Sequence, residues 1–363
     1  MEKLPTKDRQ SNFELLRIIC MMLIVALHYY EYGFIISDTQ PVTSNYLLLR
    51  FIGFGGHMAV DIFVLISGYF MVMQSFSGKK ALKLCMQTAF FALAFASAYY
   101  IKGEAGIRDI FDAVFAPVNN LYWFITCYFL LYILSGYINK LIFSVTRSSL
   151  LALIAVLVAV CSALPTFLGI RAESSNLLLF IMLYLIAAYI RLYSPKLLES
   201  RYCLIAGIAF HWLCFAASAA MFAMKDTYPI LEQISNRMTL VQDFTVLLSA
   251  ILVFAGFNNL KIGNSKVINK IAGSSVGVYL LHNNPFGNHL IWVDIFHTPD
   301  YFDSSSLAIH AVIAIASVCV GCTLIDMLYR RIIEKPVMAF VDKHWDGWRE
   351  AFTHTFRKFS PEE

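Results

Sequence analysis

Residues 12–34 read NFELLRIICMMLIVALHYYEYGF, an apolar run long enough to cross a bilayer and interrupted by Glu14, Arg17 and His28. Ionisable side chains at that depth are expensive, so they normally face the protein interior or a wet cavity, and they mark candidate sites. Arg17 and His28 are eleven residues apart, about three turns at roughly 3.6 residues per turn, which sets them on one face of a helix. Along the axis they stand about 16 Å apart at roughly 1.5 Å per residue. A site that holds one end of a long ligand and reacts with the other end needs such a spacing.

The rest of the chain agrees with a membrane setting. Of 363 residues, 59% are hydrophobic and 14% charged, against roughly 25% charged in a soluble domain. Apolar runs predict an all-α, polytopic membrane protein with ten spans, near 13–34, 52–74, 82–101, 120–139, 149–169, 176–193, 202–224, 240–257, 271–292 and 307–329. The first reads as a permanent span, since it carries Arg17 and no small-residue cleavage pattern follows it. The ninth is interrupted by Ser274, Ser275, His282, Asn283, Asn284 and Pro285.

Loop charge orients these spans. Of 28 lysines and arginines, 21 fall in one set of alternate loops and the tail. The opposite set holds only Arg50, Lys102, Arg108, Arg171, Lys225 and Arg237. By the positive-inside rule both termini are cytoplasmic, which requires an even number of spans. The expected location is the cell membrane. The net charge of +4 gives no ground for a nucleic-acid partner.

Cys319 and Cys322 form a C-x-x-C on a lipid-embedded span with no histidine nearby, and they read as small packed residues. Residues 336–363 form a basic, aromatic tail after a transmembrane domain at 1–335. Val337, Phe340, Val341, Trp345, Trp348, Phe352 and Phe356 lie at near-helical spacing, which suits either the cytoplasmic membrane surface or a solvated tail.

Each polar residue inside the spans has two readings. Asp61 enters the second span at a depth similar to that of His28 in the first. It either fixes the imidazole tautomer for general-base work or cross-links two helices. Arg17 pairs with Glu14, snorkels to the headgroups, or meets a ligand phosphate. Lys79, Lys80 and Lys83 offer point charges to phosphates or simply follow the positive-inside pattern. Tyr122 and Trp123 belong to an aromatic belt or stack on sugar. His282, Asn283 and Asn284 need partners in the membrane, and Pro285 breaks the helix beside them, so a cavity is expected there.

Four stretches together resemble the acyltransferase 3 family of membrane acyltransferases, which have ten helices and act mainly on cell-surface glycans. They are Arg17-x10-His28, GGHMAVDIFVLISGYF at 55–70, LYWFITCYFLLYIL at 121–134, and GVYLLHNNP at 277–285. The sequence departs from the family pattern in two places. A family arginine pair after the second helix is replaced by lysines, Lys80 and Lys83, and Ala59 stands where glycine is common. The hydrolase-like carboxyl-terminal domain of some relatives is missing, so the membrane domain is expected to complete the reaction or to share it with a separate protein.

The resemblance implies acyl-CoA, acetyl-CoA above all, as a cytoplasmic co-substrate without a metal. It implies a polysaccharide or lipid-linked sugar hydroxyl as acceptor. It assigns His28 and Asp61 to catalysis and Glu14, Arg17, Lys80 and Lys83 to the donor. Ser67, Tyr69, Trp123, Tyr279, His282 and Asn283 fall to substrate binding. The competing expectation is a transporter or binding protein that takes a small polar solute into the same cavity. The sequence leaves the oligomeric state open.

Overall fold

The structure is a computed structural model that describes residues 10–34, 41–170 and 176–359, with side chains described through Glu350. Lys3, Lys7, Arg9 and Arg171, which entered the loop-charge reading, lie outside the described residues, as do the side chains of Phe352 and Phe356.

The regular structure among the described residues is helical. Among the described residues, eight helices are long and apolar enough to cross a membrane, namely Ser11–Gly33, Ser44–Met71, Gly78–Ile101, Trp123–Ser144, Arg147–Leu168, Asn176–Tyr193, Tyr202–Ala223 and Leu307–Glu350. In chain order we label α1 (Ser11–Gly33), α2 (Ser44–Gly53), α3 (Gly55–Met71), α4 (Gly78–Ile101), α5 (Ile107–Val114), α6 (Trp123–Ser144) and α7 (Arg147–Val158). They are followed by α8 (Asn176–Tyr193), α9 (Tyr202–Ala223), α10 (Pro229–Asn236), α11 (Phe244–Asn258), α12 (Lys266–Ala272), α13 (Ser275–His282), α14 (Pro285–His289), α15 (Leu307–Tyr329) and α16 (Lys335–Phe359).

Ten spans were expected, and two of them take forms that length alone did not anticipate. The run at 240–257 appears as α11, an apolar helix of 15 residues. The run at 271–292 is broken into α12, α13, α14 and a π turn at Leu290–Ile295. Pro285 lacks an N–H and opens α14 as its first residue, the helical position that proline suits best. Asn284 caps the new helix, its Oδ1 accepting from the N–H groups of Phe286 (3.0 Å) and Gly287 (3.3 Å). Its Nδ2 donates to the Tyr122 hydroxyl at 2.7 Å, and that hydroxyl donates to the Leu280 carbonyl at 3.1 Å. Side chains therefore satisfy the backbone groups that a broken helix leaves open, as a non-aqueous setting demands.

α1 is central, packing against α2, α3, α11, α12, α13 and α15. Its Leu16, Cys20, Val25 and Tyr29 are fully enclosed. The outer surface carries the opposite pattern, with Leu213 on α9 and Val312 and Leu324 on α15 exposed, as befits helices that face lipid. Where α9 meets α11 the backbones touch through glycine, in the small-residue mode of membrane helices. A Cβ at Gly256 would overlap the Leu204 backbone, and one at Gly207 would stand 2.8 Å from the Val253 nitrogen.

α15 continues through a π turn at Arg330–Glu334 into α16. The first half of α16 is tied to the start of α4 by a Lys79–Asp342 ion pair of 2.7 Å and by the Trp345 ring against Gly78.

Gly256→Ala is expected to destabilise the fold by roughly 1–3 kcal/mol, the usual scale of overpacking. The check is its melting temperature in detergent against that of Gly321→Ala on α15, where a Cβ meets open space. Equal melting temperatures would refute the close α9–α11 approach.

Candidate active site

A cavity of about 100 Å³ lies between α1, α3, α6 and α13. α1 contributes Met21, Ile24, Leu27, His28, Glu31 and Tyr32; α3 contributes His57, Val60 and Phe63. Trp123 and Phe124 of α6 and Ser275, Val276 and Tyr279 of α13 complete most of the wall. His28 is 6% exposed and His282, at the end of α13, is fully buried.

The two histidines are joined, His28 Nδ1 to His282 Nε2 at 2.9 Å. His282 Nδ1 in turn lies 2.6 Å from the Val278 carbonyl oxygen. A carbonyl only accepts, so His282 must carry its proton on Nδ1. In a neutral His282 the Nε2 is then an acceptor, and His28 must donate from Nδ1. His28 is left with an unprotonated Nε2, the atom a general base needs. The backbone of α13 thereby sets the tautomers of both rings.

Aromatic residues hold the pair in place. The His28 ring stands 5.0 Å from Tyr32 and 6.4 Å from Tyr279 between centroids. Tyr32 donates from its hydroxyl to Asn283 Oδ1 at 3.0 Å. The Tyr279 hydroxyl is buried in the cavity wall near Asn283 without a hydrogen bond of good geometry. It lies close to both the Asn283 side chain and the Phe124 backbone. Tyr279 and His282 thus lie beside His28, Asn283 is linked to it through Tyr32, and Trp123 shares the cavity wall.

Other sequence candidates fall elsewhere. The pairing expected between Asp61 and His28 is not made. Asp61 is completely buried, and neither of its carboxylate oxygens has a hydrogen-bond partner among the described residues. Its charged neighbour is Asp243 at the start of α11. The cause is azimuth. α3 presents His57, Val60 and Phe63 to the cavity at intervals of three, and Asp61 is turned about 100° beyond Val60. His282 occupies the place beside His28 that Asp61 was expected to hold.

Ser67 donates within its own helix to the Phe63 carbonyl at 2.8 Å. The Tyr69 hydroxyl accepts from Arg191 at 2.8 Å, under a guanidinium 4.6 Å from its ring centre. Neither lines the His28 cavity. Arg17 donates to Glu14 at 2.8 Å, with Glu14 buried.

Lys80 and Lys83 share a second cavity of about 240 Å³ with Gln87, Tyr128, Tyr132, Arg330 and Glu334. Val276 lines both cavities, so the two adjoin. Arg17 is not part of this second wall.

The sequence reading passed over two residues of the His28 cavity, Glu31 and His57, which approach to 3.9 Å. A signal for each was present. Glu31 stands one turn after His28 in the opening stretch, and His57 sits in the glycine-rich entry to the second span.

The fold and this site define a multi-pass membrane protein in which His28, one of two hydrogen-bonded histidines, lines a cavity among the helices. A family model for an acyltransferase domain, acyltransferase 3, matches residues 10–327, and the chain belongs to that family of membrane acyltransferases. No curated protein and no solved structure matches the chain.

The hydrogen-bond chain predicts that neutral His28 is the Nδ1–H tautomer. Ring ¹⁵N chemical shifts of histidine-labelled protein, assigned by loss of the signal in His28→Gln, check this. An Nε2–H tautomer at His28 would contradict the geometry.

Proposed function

We propose that the protein transfers an acyl group, acetyl above all, from cytoplasmic acyl-CoA to a hydroxyl of a cell-surface polysaccharide or lipid-linked sugar. The observation that carries this reading is the relay from His28 through His282 to the Val278 carbonyl, placed on a cavity of a membrane acyltransferase.

In this reading the His28 Nε2 takes the proton of an acceptor hydroxyl as its oxygen attacks the thioester carbonyl. The imidazolium that forms is stabilised through its Nδ1–H bond to His282, whose own proton rests on the Val278 carbonyl. The Tyr279 hydroxyl donates to the carbonyl oxygen as it gains charge. When the tetrahedral intermediate collapses, the carbon–sulfur bond breaks and the departing thiolate receives the proton held on His28. The acceptor leaves as an ester and CoA leaves as the thiol. Trp123 and Tyr32, both in the cavity wall, suit the packing of a sugar ring. The donor enters from the side of Lys80 and Lys83, which the loop charges place in the cytoplasm together with both termini.

Radiolabelled acetyl-CoA offered to the purified protein with surface glycan tests the reaction. His28→Ala is expected to lower transfer by about 10²–10⁴-fold, the range of a lost general base, and His282→Ala by a smaller factor of at least about tenfold. Transfer that survives His28→Ala, or none from wild type in the presence of several glycans, would overturn the reading.

Orientation has its own check. A cysteine at the exposed Glu104 is expected to react with an impermeant maleimide on intact cells, and one at Lys261 only after permeabilisation. The reverse pattern would invert the topology.

A further inference from the structure

The second cavity holds more than the two lysines that sequence reading singled out. Lys80, Lys83 and Arg330 bring three cations to its wall, against the single carboxylate of Glu334. Lys79 is diverted to Asp342 on α16. Arg330 and Glu334 are the first and last residues of the π turn, where the Lys335 N–H donates to the Arg330 carbonyl five residues back. Such turns add a residue to the helix and re-aim its side chains, and they recur at functional sites. Room for the guanidinium comes from Gly273, where a Cβ would stand 2.6 Å from an Arg330 terminal nitrogen.

Glu334 lies among these cations in an incomplete arrangement. One carboxylate oxygen takes Lys83 at 2.8 Å and Arg330 Nε at 3.7 Å. The other is buried with no hydrogen-bond partner, and the residue is only 8% exposed. A half-satisfied buried carboxylate is a poor occupant of a cationic seat. A phosphate group has more acceptor oxygens and can take a guanidinium two bonds at a time.

We infer that Arg330, with Lys80 and Lys83, forms a phosphate seat, and that Glu334 occupies it as an internal anion until the ligand's phosphate displaces it. Arg330 supplies the bidentate contact that the replacement of the family's arginine pair by lysines took away. It does so from beyond the family match, which ends at residue 327. Val276, shared with the His28 cavity, puts this seat beside that cavity. Naming the ligand as the acyl donor rests on the function proposed above; the seat itself rests on the cavity.

Calorimetric binding of CoA, and separately of inorganic pyrophosphate, to the full chain in phosphatidylcholine nanodiscs tests this. Arg330→Lys is expected to weaken CoA binding about tenfold despite keeping the charge, and Glu334→Gln to tighten it several-fold. Gly273→Ala, which displaces the guanidinium, should behave like Arg330→Lys, and an unchanged melting temperature for Glu334→Gln shows that the fold is intact. CoA binding equal to wild type in both Arg330→Lys and Glu334→Gln would overturn the seat while leaving the donor reading standing. Pyrophosphate binding with this dependence, but none of CoA, would uphold the seat and defeat the donor reading. Nanodiscs with added phosphatidylglycerol separate the sources. If Arg330→Lys loses only retention of that lipid, the cations serve headgroups and the proposal fails.

Discussion

The hydrogen bond between His282 Nδ1 and the Val278 carbonyl is the contact on which the chemistry of this site depends. Only one direction of donation is open to it. That direction fixes His282, His282 fixes His28, and a free lone pair is left on His28 Nε2. In many hydrolases a carboxylate orients the reactive histidine. In the proposed reaction a neutral ring backed by a peptide carbonyl takes that role without a carboxylate, which suits a site inside the membrane, where each charge is costly.

That contact exists because the helix around it is short. α13 ends at His282, and the chain restarts at Pro285 with Asn284 as cap and Tyr122 bracing both pieces. An unbroken helix would continue the apolar run past this depth. The break instead sets His282, Asn283 and Asn284 on successive roles: partner of His28, acceptor for Tyr32, and helix cap. Glycines let α9 and α11 approach closely, and α11 packs on α3, which supports the α3 wall of the cavity.

Much of this was legible from residue order, and what was not has a geometric cause. Apolar runs about as long as a bilayer is thick are a one-dimensional signal, so the helices could be read directly, and an ionisable residue such as His28 stood out against them. The likeness at 55–70, 121–134 and 277–285 likewise led to the family. Asp61 shows where such reading stops. Depth along a span follows from counting residues, but azimuth depends on how two helices roll against each other, and Asp61 rolled towards Asp243. His282 lies 254 positions from His28, and no local pattern pairs them. Lys80 and Lys83 are separated from Lys79 only by α16, which draws Lys79 away. Arg330 joins the lysines through a π turn, a local shift in helical register that composition does not reveal.

The proposed reaction requires the reacting end of the donor to come to rest beside His28. The most direct measurement is an experimental density map of the protein with a non-hydrolysable acyl-CoA analogue in which the thioester is replaced by a thioether ketone. The ketone carbon is expected beside His28 Nε2, with the His28–His282–Val278 chain intact. An analogue bound with its ketone away from His28, or a His28 turned to another partner, would contradict the proposed reaction.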